Sequence, residues 1–333
     1  MNSFRIGITA DVLMSNGQPI FGEEALKLLD TPGIEWEYMD ASSSDISAVH
    51  AARYDAICAM TTRVTPQSLD AKAIRLKLIA RFGVGYDSID VPACTAAGVL
   101  LTIAPDGVRR PVATSALTLV LMLAQQVLIK DRLTRSGRWN EKMDYIGTGL
   151  TGRTLGSIGI GNIGAELFRI ARPLDMRCIA HDPAADPALA ASLGVTLVDM
   201  DTLFRESDFL TVNCPLNEQT RGLVDARLIG LMKRSAYLVN TARGPIVDEK
   251  ALYAALSDGL IAGAGLDVFE QEPTPADNPI LKLDNVVVTP HGICFTDECM
   301  RGLAESAFRA ALDVAAGREP PYVVNRDALA ARR

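Results

Sequence analysis

Residues 154–183 constrain the fold more than any other stretch: Thr-Leu-Gly-Ser-Ile-Gly-Ile-Gly-Asn-Ile-Gly-Ala-Glu-Leu-Phe-Arg-Ile-Ala-Arg-Pro-Leu-Asp-Met-Arg-Cys-Ile-Ala-His-Asp-Pro. A short apolar run, Leu155 to Ile160, is broken at Gly159, Gly161 and Gly164, after which Ile163, Leu167, Ile170 and Leu174 recur at helical spacing. The pattern predicts a strand, a tight turn and a helix. A second apolar run, Met176 to Ala180, leads to Asp182, about 20 residues past the first glycine, and completes a βαβ nucleotide-binding unit.

Each glycine has a physical task. Gly159 permits the tight turn, Gly161 lets the backbone approach a pyrophosphate, and Gly164 lets the helix lie close on the strand. The helix N-terminus offers unpaired N–H groups and a partial positive charge to phosphates. Asp182 is expected to accept hydrogen bonds from both ribose hydroxyls and to repel a 2′-phosphate, which favours NAD over NADP.

A chain of 333 residues predicts two domains, each with its own core. The net charge of −7, with no Lys/Arg-rich run, argues against a nucleic-acid or anionic-membrane partner, so an anionic substrate needs local arginines. The most apolar stretch, Ala113 to Ile129, carries Thr114, Ser115, Thr118, Gln125 and Gln126; it reads as too short and too polar to span a bilayer, and is expected to be a buried helix. The six cysteines show no metal-ligand or C-x-x-C spacing, so free thiols, no metal and a reducing, cytoplasmic setting are expected. An N-terminus that enters a strand without a basic leader agrees with that setting.

The first hundred residues alternate strand and helix. Strands are expected at 4–9, 35–39, 55–60, 77–81 and 99–103, and helices around 23–29, 45–52, 66–73 and 90–97. Such alternation predicts a parallel sheet covered on both faces, with ligands at the carboxyl ends of its strands. Two loops stand there, Thr61-Thr62-Arg63-Val64-Thr65 and Arg81-Phe82-Gly83-Val84-Gly85-Tyr86-Asp87. The glycine pair reads equally as an N–H nest for a carboxylate or as a plain turn, and Arg63 as a solvated side chain or a substrate contact. The segment 104–111 reads as a crossover, followed by a long helix from about Val112 to Ser136. Apolar on nearly all sides, that helix is expected either at a homodimer interface or buried within its own chain. Further strands at 209–212, 236–239, 261–266 and 286–288, and helices at 202–206, 227–232 and 249–258, make residues 104–290 one Rossmann-type domain. A last helix, 297–316, returns to the first, so residues 1–103 and 291–333 form the other.

Only three histidines are present, which limits proton transfer near neutral pH. His50 reads as a surface residue and His181 as part of an adenosine pocket. His291 follows a strand at its carboxyl end, in the cleft expected between domains. Arg243 lies just past another strand, and the acids of Leu266-Asp267-Val268-Phe269-Glu270-Gln271-Glu272-Pro273 just past a third. An arginine, an acid and a histidine at three strand ends can converge.

With those residues in view, the chain resembles the D-isomer-specific 2-hydroxyacid dehydrogenases. The matching stretches are residues 81–90, Gly159–Gly164 with Asp182, Cys214-Pro-Leu-Asn-Glu-Gln-Thr220, residues 239–249, residues 266–273 and Thr289-Pro-His291. The resemblance implies two doubly wound parallel-sheet α/β domains, a Rossmann NAD domain inserted into a flavodoxin-like substrate domain. It implies Arg243 as substrate anchor, Glu272 as partner of the histidine, His291 as acid/base, and the Val84–Gly85 backbone as holder of the substrate carboxylate; Arg63 stays a substrate candidate from its loop position alone. For the NAD contacts it implies Gly159, Gly161, Asn162, Ile163, Gly164, Asp182, Cys214, Pro215, Thr220, Thr241, Ala242, Arg243, Asp267 and His291. The expected substrate is a small 2-oxo or 2-hydroxy acid, with no regulatory extension after residue 333.

The types suit the chemistry. Reducing a 2-oxo acid needs a hydride and a proton delivered to the carbonyl oxygen; protonated His291 supplies the proton, Glu272 raises its pKa, and Arg243 holds carboxylate and carbonyl in one plane. The chain departs from the family at Val112-Ala113-Thr114-Ser115, where Val-Ala-Glu-His is usual, and at Gly292–Glu298. Arg109 and Arg110 either tune the cleft toward a more anionic substrate or face solvent. Two rivals share the scaffold: formate dehydrogenase, which pairs its histidine with glutamine, and non-enzymatic NAD-sensing co-regulators such as the C-terminal-binding corepressors.

Overall fold

The computed structural model describes residues 3–40, 45–70 and 73–330. The chain divides into two compact units, Met1–Pro111 with Phe295–Arg333, and Val112–Cys294.

In the first unit β1 (Phe4–Ile8), β2 (Ile34–Tyr38), β3 (Ala56–Ala59), β4 (Leu78–Arg81) and β5 (Leu100–Thr102) form a parallel sheet in the order β2-β1-β3-β4-β5, the flavodoxin-like order. β3, β4 and β5 are almost wholly apolar and buried, as strands covered on both faces must be. The helix Asp297–Ala315, capped by Thr296, lays Met300, Leu303, Ala304, Ala307, Phe308 and Ala311 inward, and Phe308 meets the ring edges of Phe21 and Phe82. Asn325 covers the outer edge of the sheet, its amide accepting from Leu101 N–H at 2.8 Å and donating to Val99 O at 2.9 Å.

The connections are tighter than expected. The segment near 23–29 is a 3-10 helix, Glu24–Leu29, and the turn after Thr65 is described only as the 3-10 helix Pro66–Leu69. Residues 41–44 lie outside the described residues, as do 71 and 72 of the helix expected at 66–73.

The second unit holds β6 (Thr154–Ile158), β7 (Arg177–His181), β8 (Val195–Leu197), β9 (Phe209–Val212), β10 (Tyr237–Asn240), β11 (Gly263–Leu266) and β12 (Val286–Val288). They form one parallel sheet in the order β8-β7-β6-β9-β10-β11-β12. The order reverses between β6 and β9, and at such a switch point the loops after neighbouring strands part and leave a crevice for a ligand. β8 and the helix Pro187–Leu193 before it were not foreseen, because Val195-Thr196-Leu197 is too short for a strand period to show.

The helix expected from Val112 begins at Pro105 and ends at Ala124; Gln126, at φ 51°, breaks the run before a second helix, Val127–Arg135. The 104–111 segment leads from one unit into the other as expected but is itself helical from Pro105, since a proline's fixed φ suits a first turn and its missing N–H costs nothing there. Hence the boundaries between units fall at 111/112, inside this helix, and at 294/295. By length and composition this helix could cross a bilayer, contrary to the expectation for 113–129. What Ala113, Ala116, Leu119, Val120 and Leu123 meet here is a core cluster with Leu155, Ile160, Phe168 and Val239 of the same unit. The exposed apolar side chains come later, at Val127, Leu128, Trp139, Met143 and Ile146.

Candidate active site

The dinucleotide loop follows β6. Gly159 sits at φ +94°, and a Cβ there would stand 3.0 Å from Asn213 O; a Cβ on Gly164 would stand 2.4 Å from Gly159 O. Both glycines are therefore required by backbone contact. Gly161 caps the helix Asn162–Ala171, and no atom lies within 4 Å of the position its Cβ would take, so open space fronts the helix N-terminus. Asn162 is exposed there, while Ile163 turns toward the core.

Asp182 directly follows the next strand, β7. Its carboxylate accepts from Ile160 N–H and Ala184 N–H, both at 2.9 Å, which ties it to the glycine loop. Open space at a helix N-terminus with an acid at the neighbouring strand end fits the diphosphate and ribose of a dinucleotide. His181 is held through Nδ1 at 3.0 Å from Val198 O. Burial pushes the Cys214 thiol up to about 11, with Asp182 adding to it, so the thiol stays neutral beside the loop. The turn from Pro215 to Thr220 is closed by Thr220, whose hydroxyl donates to Pro215 O at 2.6 Å and accepts from Asn217 N–H at 2.8 Å. That hydroxyl is engaged in shaping the loop.

Three loops carry the remaining side chains. β10, β11 and β12 are neighbours in register, Asn240 beside Leu266 and Leu266 beside Val288, so the loops after them start level. Buried Asn240 folds the first, accepting from Ala242 N–H at 3.0 Å and donating to Arg243 O at 2.9 Å. Thr241 and Ala242 are half-buried within this turn. A Cβ on Gly244 would overlap the Phe269 carbonyl, so this loop rests directly on the one that carries Glu272. Arg243 donates to Ala242 O at 2.7 Å.

His291 Nδ1 lies 2.7 Å from Glu272 Oε2, and the other oxygen of Glu272 accepts Phe269 N–H at 3.0 Å. A carboxylate only accepts, so Nδ1 carries the hydrogen and Nε2 is left to exchange a proton. The bond to Glu272 holds the imidazole pKa above its ordinary value, outweighing partial burial and the opposing charge of Arg243. Burial pushes the Glu272 carboxyl up, but the His291 and Phe269 hydrogen bonds prevail and hold it below the usual range.

His291 occupies a left-handed backbone conformation, φ 51°, uncommon outside glycine and open mainly to asparagine, aspartate and histidine among the other residues. Asp267 holds it there. Its carbonyl accepts His291 N–H at 2.7 Å, and its buried Oδ1 accepts the Thr289 hydroxyl at 2.6 Å, Gly292 N–H at 2.9 Å and Ile293 N–H at 3.1 Å. The sequence reading missed this use of Thr289, although the Thr-Pro-His triplet was in view.

In the first unit, the loop after β4 is fastened by Arg81, which donates to Gly85 O from Nε at 3.1 Å and Nη2 at 2.9 Å, and also to Met60 O. Among the described residues no hydrogen bond is made by Val84 N–H or Gly85 N–H. Neither Gly83 nor Gly85 has a positive φ, so the loop is not an alternating left-handed nest. Arg63 turns its fork onto Asp45, Nε at 2.8 Å and Nη2 at 3.2 Å. Its donors thus face a carboxylate of its own unit. Arg109 and Arg110 are exposed. Among the described residues no group of three His, Cys, Asp or Glu side chains could hold a metal ion.

The family model for the NAD-binding domain of D-isomer specific 2-hydroxyacid dehydrogenases matches residues 117–292. A glyoxylate reductase of Korarchaeum cryptofilum is 39% identical over 281 residues, 84% of this chain and 85% of that one. A D-3-phosphoglycerate dehydrogenase of Archaeoglobus fulgidus is 40% identical over 282 residues, 84% of this chain but 53% of its own length. Among solved structures, the D-lactate dehydrogenase of Aquifex aeolicus complexed with NAD and lactic acid has TM-score 0.81 and 27% identity, covering 96% of this chain and 99% of that one. A glyoxylate reductase from Paecilomyes thermophila has TM-score 0.82 and 28% identity, covering 97% and 99%.

Proposed function

The chain belongs to the D-isomer specific 2-hydroxyacid dehydrogenase family, and from that membership we propose that it interconverts a small 2-oxo acid and its D-2-hydroxy acid with NAD(H), using His291 as acid/base. The observation that carries this reading is the 2.7 Å pairing of His291 with Glu272, on a loop that rests against that of Arg243. When bound, NADH supplies the hydride. Glycine-loop amides and the helix beginning at Asn162 would bind its diphosphate, and the Asp182 carboxylate its ribose.

His291 Nε2–H hydrogen-bonds the carbonyl oxygen and gives up its proton as negative charge grows there. Glu272 keeps Nδ1 protonated and the ring oriented throughout. The Arg243 fork takes the substrate carboxylate together with the carbonyl oxygen. In oxidation the neutral imidazole accepts the hydroxyl proton.

The test is NADH oxidation with glyoxylate, hydroxypyruvate, pyruvate and 3-phosphohydroxypyruvate. Turnover of at least one supports the reading and names the substrate; turnover of none, with tight NADH binding, returns the protein to the co-regulator class. The relatives compared are named as reductases and dehydrogenases and lend that class no support. We further propose a homodimer, in which a second copy covers the exposed Trp139, Met143 and Ile146; sedimentation at a single-chain mass would overturn it.

A further inference from the structure

Beneath the dinucleotide loop runs one unbroken hydrogen-bond chain. Asn213 Nδ2 donates to Ser157 Oγ at 2.9 Å, and Ser157 Oγ donates to Gly159 O at 2.6 Å. The other end of that same peptide, Ile160 N–H, donates to Asp182 Oδ2 at 2.9 Å. Counting donors fixes the direction. The Ser157 hydroxyl spends its hydrogen on Gly159 O, and the Thr211 hydroxyl spends its own on Gly156 O at 3.0 Å. Both oxygens can then only accept, so the Asn213 amide must turn its NH2 toward them, 2.9 Å to each. Asn213 Oδ1 is left buried with no protein donor among the described residues. An asparagine that leaves its own carbonyl unsatisfied in order to serve two buried hydroxyls is held for their sake.

We propose that Asn213 and Ser157 are positioning residues for the cofactor: they set the tilt of the Gly159–Ile160 peptide and couple it to the carboxylate that receives the ribose. The peptide that opens the loop is gripped at both ends, its carbonyl from the interior by Ser157 and its N–H from the rim by Asp182. The conformation at Gly159, φ +94°, directs the following amides, and Ser157 Oγ lies 3.4 Å from where a Cβ on Gly164 would stand, at the closest approach of helix and strand. Loss of the Ser157 hydroxyl frees Gly159 O to rotate and takes Ile160 N–H away from Asp182. Pre-organisation for the diphosphate and position of the ribose acceptor then fail together.

The inference rests on the loop binding a dinucleotide, and its test does not require turnover of any 2-oxo acid. Ser157→Ala, Ser157→Thr and Asn213→Leu are compared with wild type by titration with ADP-ribose and NADH, and with adenosine as competitor of NADH. Expected is a loss of about three- to tenfold in affinity for ADP-ribose and NADH in Ser157→Ala and Asn213→Leu. Adenosine, which meets the ribose acceptor but not the diphosphate amides, loses clearly less, the thermal midpoint stays near wild type, and Ser157→Thr, which keeps the hydroxyl, regains most of the loss. With an active substrate, KM for NADH rises while kcat holds. Wild-type affinity for ADP-ribose in both variants, an equal loss for adenosine, or no recovery in Ser157→Thr would overturn the proposal.

Discussion

His291 Nδ1 and Glu272 Oε2 stand 2.7 Å apart, and the second oxygen of Glu272 is occupied by Phe269 N–H, so the carboxylate cannot rotate away from the imidazole without losing a backbone partner. The pair is half open to solvent, which places the proton-bearing ring where a small acid can reach it.

The first consequence is a pH dependence. The raised imidazole pKa keeps the cation, the form needed for reduction, present to higher pH than an ordinary histidine would, with loss as pH rises through that value. Oxidation needs the neutral ring and has the opposite profile. In Glu272→Gln the charge is gone while the amide oxygen can still accept from Nδ1, so the ring stays oriented but the descending limb for reduction should move to lower pH. Rate profiles in both directions check this; an unmoved limb would separate Glu272 from the titration.

Arg243 should act on substrate and not on cofactor affinity. Arg243→Ala is expected to lower kcat/KM for the 2-oxo acid by about 10²–10³-fold. NADH affinity by fluorescence titration should stay within about twofold. Arg243→Lys should recover little, because a point charge cannot span two oxygens in one plane.

Asp182 is expected to set a preference for NAD over NADP. Asp182→Asn can still accept from Ile160 N–H but no longer repels a phosphate. Its NADPH/NADH ratio of kcat/KM should rise by about tenfold, equivalent to about 1.4 kcal/mol. Side-by-side kinetics with both cofactors decide the point.

The close approach at Gly164 predicts a stability effect. An added Cβ would stand 2.4 Å from Gly159 O, a backbone atom that cannot swing aside. Gly164→Ala should therefore cost about 1–3 kcal/mol, read as a lower denaturation midpoint, and weaken NADH binding at the same time.

How much of this was legible in the sequence follows from the range over which each signal acts. The glycines, Asp182 and the strand ends at Arg243, Glu272 and His291 are local patterns, and strands read from apolar runs at 209–212 and 286–288 coincide with β9 and β12. Local patterns fail where one residue type has two uses. Pro105 looked like punctuation and starts a helix. β8 is three residues long, too short for its period to show. Hydrogen bonds between distant residues leave no trace at all: Thr289 reaches Asp267 across 22 positions and Asn213 reaches Ser157 across 56. Arg63 shows the converse, since its fork had the right chemistry for a substrate but is held by Asp45.

The most direct measurement concerns His291 itself. Its left-handed backbone conformation makes asparagine the substitution least disturbing to the turn that Asp267 holds. His291→Asn should bind NADH with near wild-type affinity yet lose about 10²–10⁴-fold in the rate of 2-oxo acid reduction, with the pH dependence near neutrality abolished. A variant that reduces the acid at close to the wild-type rate, with the same pH profile, would contradict the account.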